Sequence, residues 1–317
     1  MQKIKVGISS CLMGAAVRYD GGHKRSSLCL DELGAHFDFV PDCPELGAGL
    51  GVPRPPVRLV GDPAAPRALG VVDASLDVTD ALQGYAAQRL PALGDLCGYV
   101  FVRNSPSCGL HRVKVHADAG QPPRERGRGL FAAAFTAAYP DVPVEEEGRL
   151  RDPVLRDSFL TRVLVLHGWR QLCASELTRE RLEDFHARCA LLLQARNGKE
   201  ENDPLARLLE NGAGSDPQAL GQCYFDALLR HLQRGATRSG HMAVLRHWQT
   251  QLAPRLEPAE REDFAERIAC YGRGRAPLAL PLAALRRFAV RQAVPALMDQ
   301  LYLRLAAHEC VSNRITA

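Results

Sequence analysis

The sequence predicts an α/β first half built on a mostly parallel sheet, followed by an all-α second half. Three observations carry this. Short apolar runs of strand type alternate with helical patterns up to residue 150, the order that βαβ units produce. From Val154 onward apolar residues recur only at helical spacing, as in Leu155, Phe159, Val163, Leu166 and Trp169. Three of the strand-like runs are each followed closely by a cysteine: Cys11, Cys43 and Cys108. The carboxyl edge of an open α/β sheet is where ligands sit. Residues 1–150 are therefore read as a Rossmann-like domain with one functional edge, and residues 151–317 as a helical domain.

The elements follow in order. Lys3 to Ser9 is a short apolar strand running into Cys11-Leu-Met-Gly14. Ser26 to His36 is a candidate helix, and Phe37 to Pro41 a strand before Asp42-Cys43-Pro44-Glu45. Leu46 to Pro56 is a loop of glycines and prolines. It contains no Gly-x-x-x-x-Gly-Lys-Ser/Thr, so it is not a phosphate loop. Val57–Val60 and Gly70–Asp73 are two short edge strands or a hairpin. Thr79–Leu90 is an amphipathic helix with Asp77 or Thr79 as its cap. Gly98–Arg103 is a buried-type strand, and Asn104-Ser-Pro-Ser-Cys108-Gly109 follows it. Val113–His116, an Ala-rich helix at Gly129–Tyr139 and a last strand at Val142–Val144 complete the half.

Composition narrows the classes. The chain has 317 residues, 46% apolar and 24% charged, as in ordinary globular proteins. No apolar run approaches the roughly 20 residues of a membrane span, and the N-terminal stretch reads as a strand, so a cytoplasmic location without a membrane partner is expected. Ten cysteines without any Cys-x-x-Cys pair give no support to a zinc ribbon or thioredoxin-like motif. Most are read as small buried hydrophobes. Residues 1–150 carry 16 Lys and Arg against 17 Asp and Glu, a net −1. Residues 151–317 carry 24 against 19, a net +5.

Three thiolates at one sheet edge can bind zinc with a fourth ligand or water. They can equally hold an iron–sulfur cluster, which normally takes four cysteines, and three would leave one iron open. Glu45, two residues beyond Cys43, can relay a proton or activate water. Ser105 and Ser107 can position that water, or merely close a turn. Arg54, fixed between prolines, can meet an anionic or carbonyl group, or can be a surface arginine on a stiff turn. Asp20 sits in Arg-Tyr-Asp-Gly, a turn sequence; with Ser107 and Arg54 it completes the candidates for substrate contact.

Taken together, Ser-Ser-Cys11-Leu-Met-Gly, Val-Arg-Tyr-Asp20-Gly-Gly-His-Lys, Cys43-Pro-Glu45 with Gly47, Pro53-Arg-Pro-Pro and Ser105-Pro-Ser-Cys108-Gly resemble the thiouracil desulfidase family over roughly residues 3–145. The resemblance implies a [4Fe-4S] cluster on Cys11, Cys43 and Cys108 with one open iron. It also implies Glu45 and Ser105 as catalytic groups, and removal of sulfur from a thiocarbonyl base without net electron transfer.

The second half offers a basic stretch. Between Asp226 and Glu257 no acidic residue occurs, while Arg230, Arg234, Arg238, Arg246 and Arg255 do. Arg230, Arg234 and Arg238 are four apart and are expected on one helix face, either solvated or facing a nucleic-acid backbone. Tyr224-Phe, Ala236-Thr-Arg-Ser-Gly-His241, Tyr271-Gly-Arg-Gly and Pro277-Leu-Ala-Leu-Pro281 are similar to the YbgA-like domain, with a departure around 189–204. For a fusion of the two, the resemblance implies tRNA containing 4-thiouridine as substrate and partner. Two other readings stay open: desulfidation of free thiouracil or a small thioamide with a regulatory helical domain, and a non-enzymatic cluster-bearing RNA-binding or sensing module.

Overall fold

The chain divides after Asp152 into two units, each with its own core. The structure, a computed structural model, describes residues 3–117, 124–197, 203–212 and 214–305.

The first unit is laid around β1 (Ile4–Ser9). It pairs in parallel with β2 (Phe37–Asp42) on one side and with β5 (Tyr99–Phe101) on the other. Strands β3 (Val57–Val60), β4 (Arg67–Gly70), β6 (Val113–His116) and β7 (Arg124–Gly127) lie elsewhere, and β8 (Val144–Glu146) pairs in parallel with β5. The first sheet thus runs β2-β1-β5-β8, all parallel. Val6, Ile8, Tyr99, Val100 and Phe101 are buried, as strands covered on both faces should be. Gly7 has a packing reason: a Cβ there would meet the Tyr99 ring at 2.2 Å.

The expected single sheet is in fact two. The other four strands form a mixed sheet in the order β4-β3-β6-β7, with β3 and β6 parallel and both outer pairs antiparallel. The sequence carries the reason. Val113-Lys-Val-His alternates, burying Val113 and Val115 and exposing Lys114, which suits a sheet with one solvated face. Leu59, Ala68, Val113 and Val115 share a core with Val78, Leu82 and Leu130. Strand β7 has the polar sequence Arg-Glu-Arg-Gly and gave no apolar signal.

Among the described residues of this unit the α-helices are α1 (Pro44–Gly47), α2 (Thr79–Arg89) and α3 (Leu130–Ala138). Asp77 accepts from the Thr79 amide at 3.0 Å, just ahead of α2. The helix expected over Ser26–His36 is a π turn at Leu28–Glu32 and a 3₁₀ turn at Leu33–Ala35. The Ser26 hydroxyl accepts from the Cys29 amide at 3.3 Å and donates to Glu147 at 2.7 Å, and Gly34 disfavours a regular continuation.

The second unit is helical throughout its described residues. Its helices are α4 (Pro153–Cys173), α5 (Arg179–Asn197), α6 (Pro204–Asn211), α7 (Pro217–Leu232), α8 (Arg238–Leu252), α9 (Pro258–Gly272), α10 (Ala279–Arg291) and α11 (Pro295–Met298). Five open on proline, whose missing N–H costs nothing at a helix start. The core contains Phe159, Phe185, Tyr224, Phe264 and Phe288, and Trp169 stacks on Phe225 at 4.5 Å. The polar stretch Lys199–Asp216, expected as a loop with one short helix, holds α6; residues 198–202 and 213 lie outside the described residues. No described helix is long and apolar enough to cross a membrane.

Candidate active site

Three loops leave the carboxyl end of the parallel sheet, and each is tied down separately. Cys11 lies in a 3₁₀ turn, Ser10–Met13, directly after β1. Its carbonyl accepts from the Lys24 amide at 2.9 Å, and the Leu12 carbonyl from the Ser26 amide at 2.9 Å. Cys43 follows β2 and precedes α1, whose first residue is proline. The strand end before it is fixed by buried Asp42, which accepts from Arg89 at 2.6 Å and from Tyr85 at 2.7 Å. Cys108 follows β5 by way of Asn104, whose φ of 59° is the left-handed conformation that asparagine tolerates.

The Cys108 loop is held by helix α3. The amides of Leu130, Phe131 and Ala132, which have no partner inside their own helix, take the carbonyls of Pro106 and Ser107 at 3.0–3.1 Å. Gly129 permits this approach, since a Cβ would stand 2.5 Å from the Ser107 carbonyl carbon. Glu146, at the end of β8, accepts from the amides of Leu110 and His111 at 2.9 and 3.0 Å.

All three cysteines line one cavity of about 380 Å³, together with Glu45, Arg54 and Ser105. Burial pushes each thiol pKa upward, most of all at Cys108. The charges of Glu45, Cys43 and Cys11 press further on Cys108, and that of Cys43 on Cys11. Three thiolates this close repel one another and need positive charge to stay ionised together. Yet among the described residues no group of three or more His, Cys, Asp or Glu closes around a single metal ion. The three thiols face one cavity, and thiolates are ligands for zinc and for iron–sulfur clusters alike.

Glu45 is gripped from two sides. Its Oε2 accepts from Arg54 Nε at 3.0 Å and Nη2 at 2.5 Å. Its Oε1 accepts from the Ser107 hydroxyl at 2.9 Å and the Ser105 hydroxyl at 3.4 Å. Arg54 is itself buried, and also donates to the carbonyls of Gly51 at 2.8 Å and Val17 at 3.0 Å. It is thus no surface arginine. The two serines differ: Ser107 is fully buried behind Glu45, whereas Ser105 lines the cavity and accepts from the amides of Ser107 and Cys108 at 3.2 and 3.0 Å.

Asp20 is not among the residues lining the cavity. It is exposed, accepts from the Gly22 amide at 3.0 Å and pairs with Arg18 at 3.6 Å, so it closes a turn. The sequence reading did not single out Ser9, whose hydroxyl accepts from the Val102 amide at 3.0 Å and also meets the Cys108 thiol. Its signal was the Ser-Ser before Cys11. Also unremarked were Lys24 and Arg103, which line the same cavity; Arg103 is a lone charge ending an apolar strand run.

A family model described as 2-thiouracil desulfurase matches residues 6–147. The uncharacterized protein YbbK of Bacillus subtilis (strain 168) is 34% identical over 146 residues, 44% of this chain and 95% of YbbK. The chain belongs to the 2-thiouracil desulfurase family. A second model, a protein of unknown function (DUF1722), matches residues 191–306. The uncharacterized protein YbgA of Escherichia coli (strain K12) is 28% identical over 151 residues, 47% of this chain and 88% of YbgA. Among solved structures, the [4Fe-4S]-dependent thiouracil desulfidase TudS is 30% identical, with a TM-score of 0.41, covering 49% of this chain and 97% of that one. The desulfurase match spans all three thiols, Glu45, Arg54 and Ser105.

The basic residues of the DUF1722-matching half do not form the expected helix face. Helix α7 ends at Leu232, and α8 begins at Arg238 after Thr237 caps it by accepting from the Gly240 amide at 3.0 Å. Arg230 therefore lies in the last turn of α7, Arg234 in the connection and Arg238 at the start of α8. All three are exposed. Gly235 and a good N-cap residue interrupt the spacing that a continuous helix would have needed.

Proposed function

We propose that this protein is a [4Fe-4S]-dependent, non-redox desulfidase that hydrolyses the C=S bond of 4-thiouridine in tRNA, giving uridine and hydrogen sulfide. The observation that carries the reading is one cavity holding three thiols beside a carboxylate clamped by an arginine and two serines. Family membership supports desulfuration; the tRNA substrate is supported only by the resemblance of the helical half and by its exposed arginines.

Cys11, Cys43 and Cys108 would hold the cluster, which when bound supplies an iron without a protein ligand, a soft Lewis acid toward thiocarbonyl sulfur. The chain's own residues do the rest. Glu45 Oε1 is the atom that takes a proton from the attacking water. Arg54 fixes Oε2 and so keeps Oε1 turned toward Ser105 and Ser107. Ser105, anchored by two amides of the Cys108 loop, orients the water, while Ser107 holds the carboxylate from behind. Pro44, Pro56 and Pro106 give the cavity stiff walls. A cavity of this size takes one base, so a base in RNA must leave its stack to enter. Arg230, Arg234 and Arg238 would contact phosphates in the helical unit.

The test is anaerobic reconstitution with iron and sulfide, then reaction with 4-thiouridine-containing tRNA, following thiouridine absorbance and released sulfide together. Turnover lost in Cys11→Ala and Glu45→Gln is expected. Sulfide release from free thiouracil but never from tRNA would remove the RNA substrate. An intact cluster releasing sulfide from neither would end the enzyme reading.

A further inference from the structure

The helical unit contains a cavity of its own. It measures about 380 Å³ and lies wholly among residues of that unit, bounded by the first turn of α4, the start of α8 and the turn between α9 and α10. Stretches that stand far apart in sequence meet here: Ala236-Thr-Arg-Ser-Gly-His241, Tyr271-Gly-Arg-Gly and Pro277.

The chemistry is graded from rim to floor. Arg238 and Arg275 are exposed at the rim, and Arg156 is half-buried beside them. Arg238 lies over the Tyr271 ring at 5.7 Å, which fixes the plane of its guanidinium. Gly274, with φ of 73°, turns the chain past that guanidinium; a Cβ there would meet Nη1 at 2.5 Å. On the floor, His241 and Asp157 are both buried, with Nε2 and Oδ2 3.8 Å apart. His241 Nδ1 is 2.8 Å from the Tyr302 hydroxyl. Burial, with Arg196 nearby, lowers the His241 pKa to about 3, so the ring is neutral. Three arginines against one aspartate leave the cavity electropositive, with its acceptor atoms at depth and its cations at the mouth.

We propose that this cavity binds a nucleotide, its phosphate held by Arg238 and Arg275 at the rim and its hydroxyl or amino donors reaching Asp157 and His241 at the floor. A simple anion would satisfy the rim alone, and a neutral nucleoside the floor alone. Planar, forked guanidinium groups suit phosphate oxygens, and the volume lies within the range of small-molecule sites. The nucleotide can be free or can belong to an RNA strand; the chemistry is shared.

Calorimetric titration of the full chain tests this, using each ribonucleoside 5′-monophosphate, inorganic phosphate and a short single-stranded RNA as probes. A nucleoside monophosphate should bind saturably and more tightly than phosphate. Arg238→Gln with Arg275→Gln should weaken it about tenfold or more, the loss expected for charge-assisted hydrogen bonds. Cys11→Ala should leave it unchanged, which separates this site from the thiol cavity and from the desulfidase reading. If the RNA displaces the bound nucleotide, the strand is the natural source; if it does not, the free nucleotide is. Equal affinity in the arginine double variant, equal affinity for phosphate and nucleotide, or no saturable nucleotide binding would each overturn the assignment.

Discussion

Removing Arg54 tests whether the site is built as a clamp. Its guanidinium makes four hydrogen bonds, two to Glu45 Oε2 and one each to the carbonyls of Gly51 and Val17. Its side chain is 4% exposed and that of Glu45 14%. Breaking a buried pair by deleting one partner costs about 3–5 kcal/mol, because the other charge is stranded. Glu45 retains some access to water, so Arg54→Met should fall near the lower end, about 3 kcal/mol. In a unit of this size that is a fall of about 6–12 °C in melting temperature. Arg54→Lys keeps the charge but not the fork, and should cost about 1–2 kcal/mol. Adding Glu45→Gln to Arg54→Met removes the stranded charge and should recover part of the loss. Calorimetry on the intact chain reads the first unit. Both tryptophans, Trp169 and Trp248, lie in the second, so their fluorescence marks that unit separately. A drop of under about 2 °C in Arg54→Met, or no recovery in the double variant, would refute the clamp.

Gly129→Ala puts a methyl 2.5 Å from the Ser107 carbonyl carbon. The Cys108 loop must move by roughly 1 Å, costing about 1–3 kcal/mol, and iron retained after reconstitution should fall while titratable thiols rise. The second unit should weaken in acid through His241. Its folded pKa of about 3 lies below the ordinary value of 6.5, so the unfolded chain binds the proton first. Its contribution is constant above about pH 6.5 and falls by up to about 1.4 kcal/mol per pH unit from there down to about pH 3. At pH 5 that is at most about 2 kcal/mol, since Asp157 at 3.8 Å from Nε2 pulls the other way. Urea titrations followed by tryptophan fluorescence should show the loss in the wild type and a flatter response in His241→Asn; identical responses would contradict it. Replacing Arg230, Arg234 and Arg238 together with glutamine should flatten the slope of log affinity for tRNA against log salt, by about one unit for each phosphate no longer neutralised. An unchanged slope would rule these residues out as contacts to the tRNA backbone.

The parallel sheet was legible because its two central strands are largely buried: Tyr99–Phe101 is an unbroken apolar run, and in Ile4–Ser9 only Lys5 is exposed. The mixed sheet was not separated from it, since short alternating segments such as Val57–Val60 carry no record of which partner they pair with. The cysteines could be read as one site because each follows a strand of the same sheet. The Glu45–Arg54 pair could not be read with them. The two residues are nine apart across a Gly- and Pro-rich loop, and no periodicity in such a loop states where a side chain ends. The broken helix at Gly235 shows the opposite error. A spacing of four among arginines suggests one face only while the helix continues, and Gly235 with Thr237 already marked its end.

The loops that carry the thiols are each secured by groups outside the thiol set: Cys11 through the amides of Lys24 and Ser26, Cys43 through Asp42 with Arg89 and Tyr85, Cys108 through the first turn of α3 and Glu146. Three independent anchors mean that the loops need not wait for a cluster to order them. Such preorganisation matters because Cys11 and Cys108 are buried, Cys43 is partly buried, and the three repel one another as thiolates. A flexible set would relieve that repulsion by moving apart; a rigid set keeps it until positive charge arrives. The same rigidity fixes Glu45, whose carboxylate is spanned by Arg54 from the Pro-rich loop and by the serines of the Cys108 loop. Displacing the Cys108 loop should therefore disturb the carboxylate as well as the thiol, and Gly129→Ala should impair both cluster retention and proton transfer where Ser107→Ala impairs proton transfer alone.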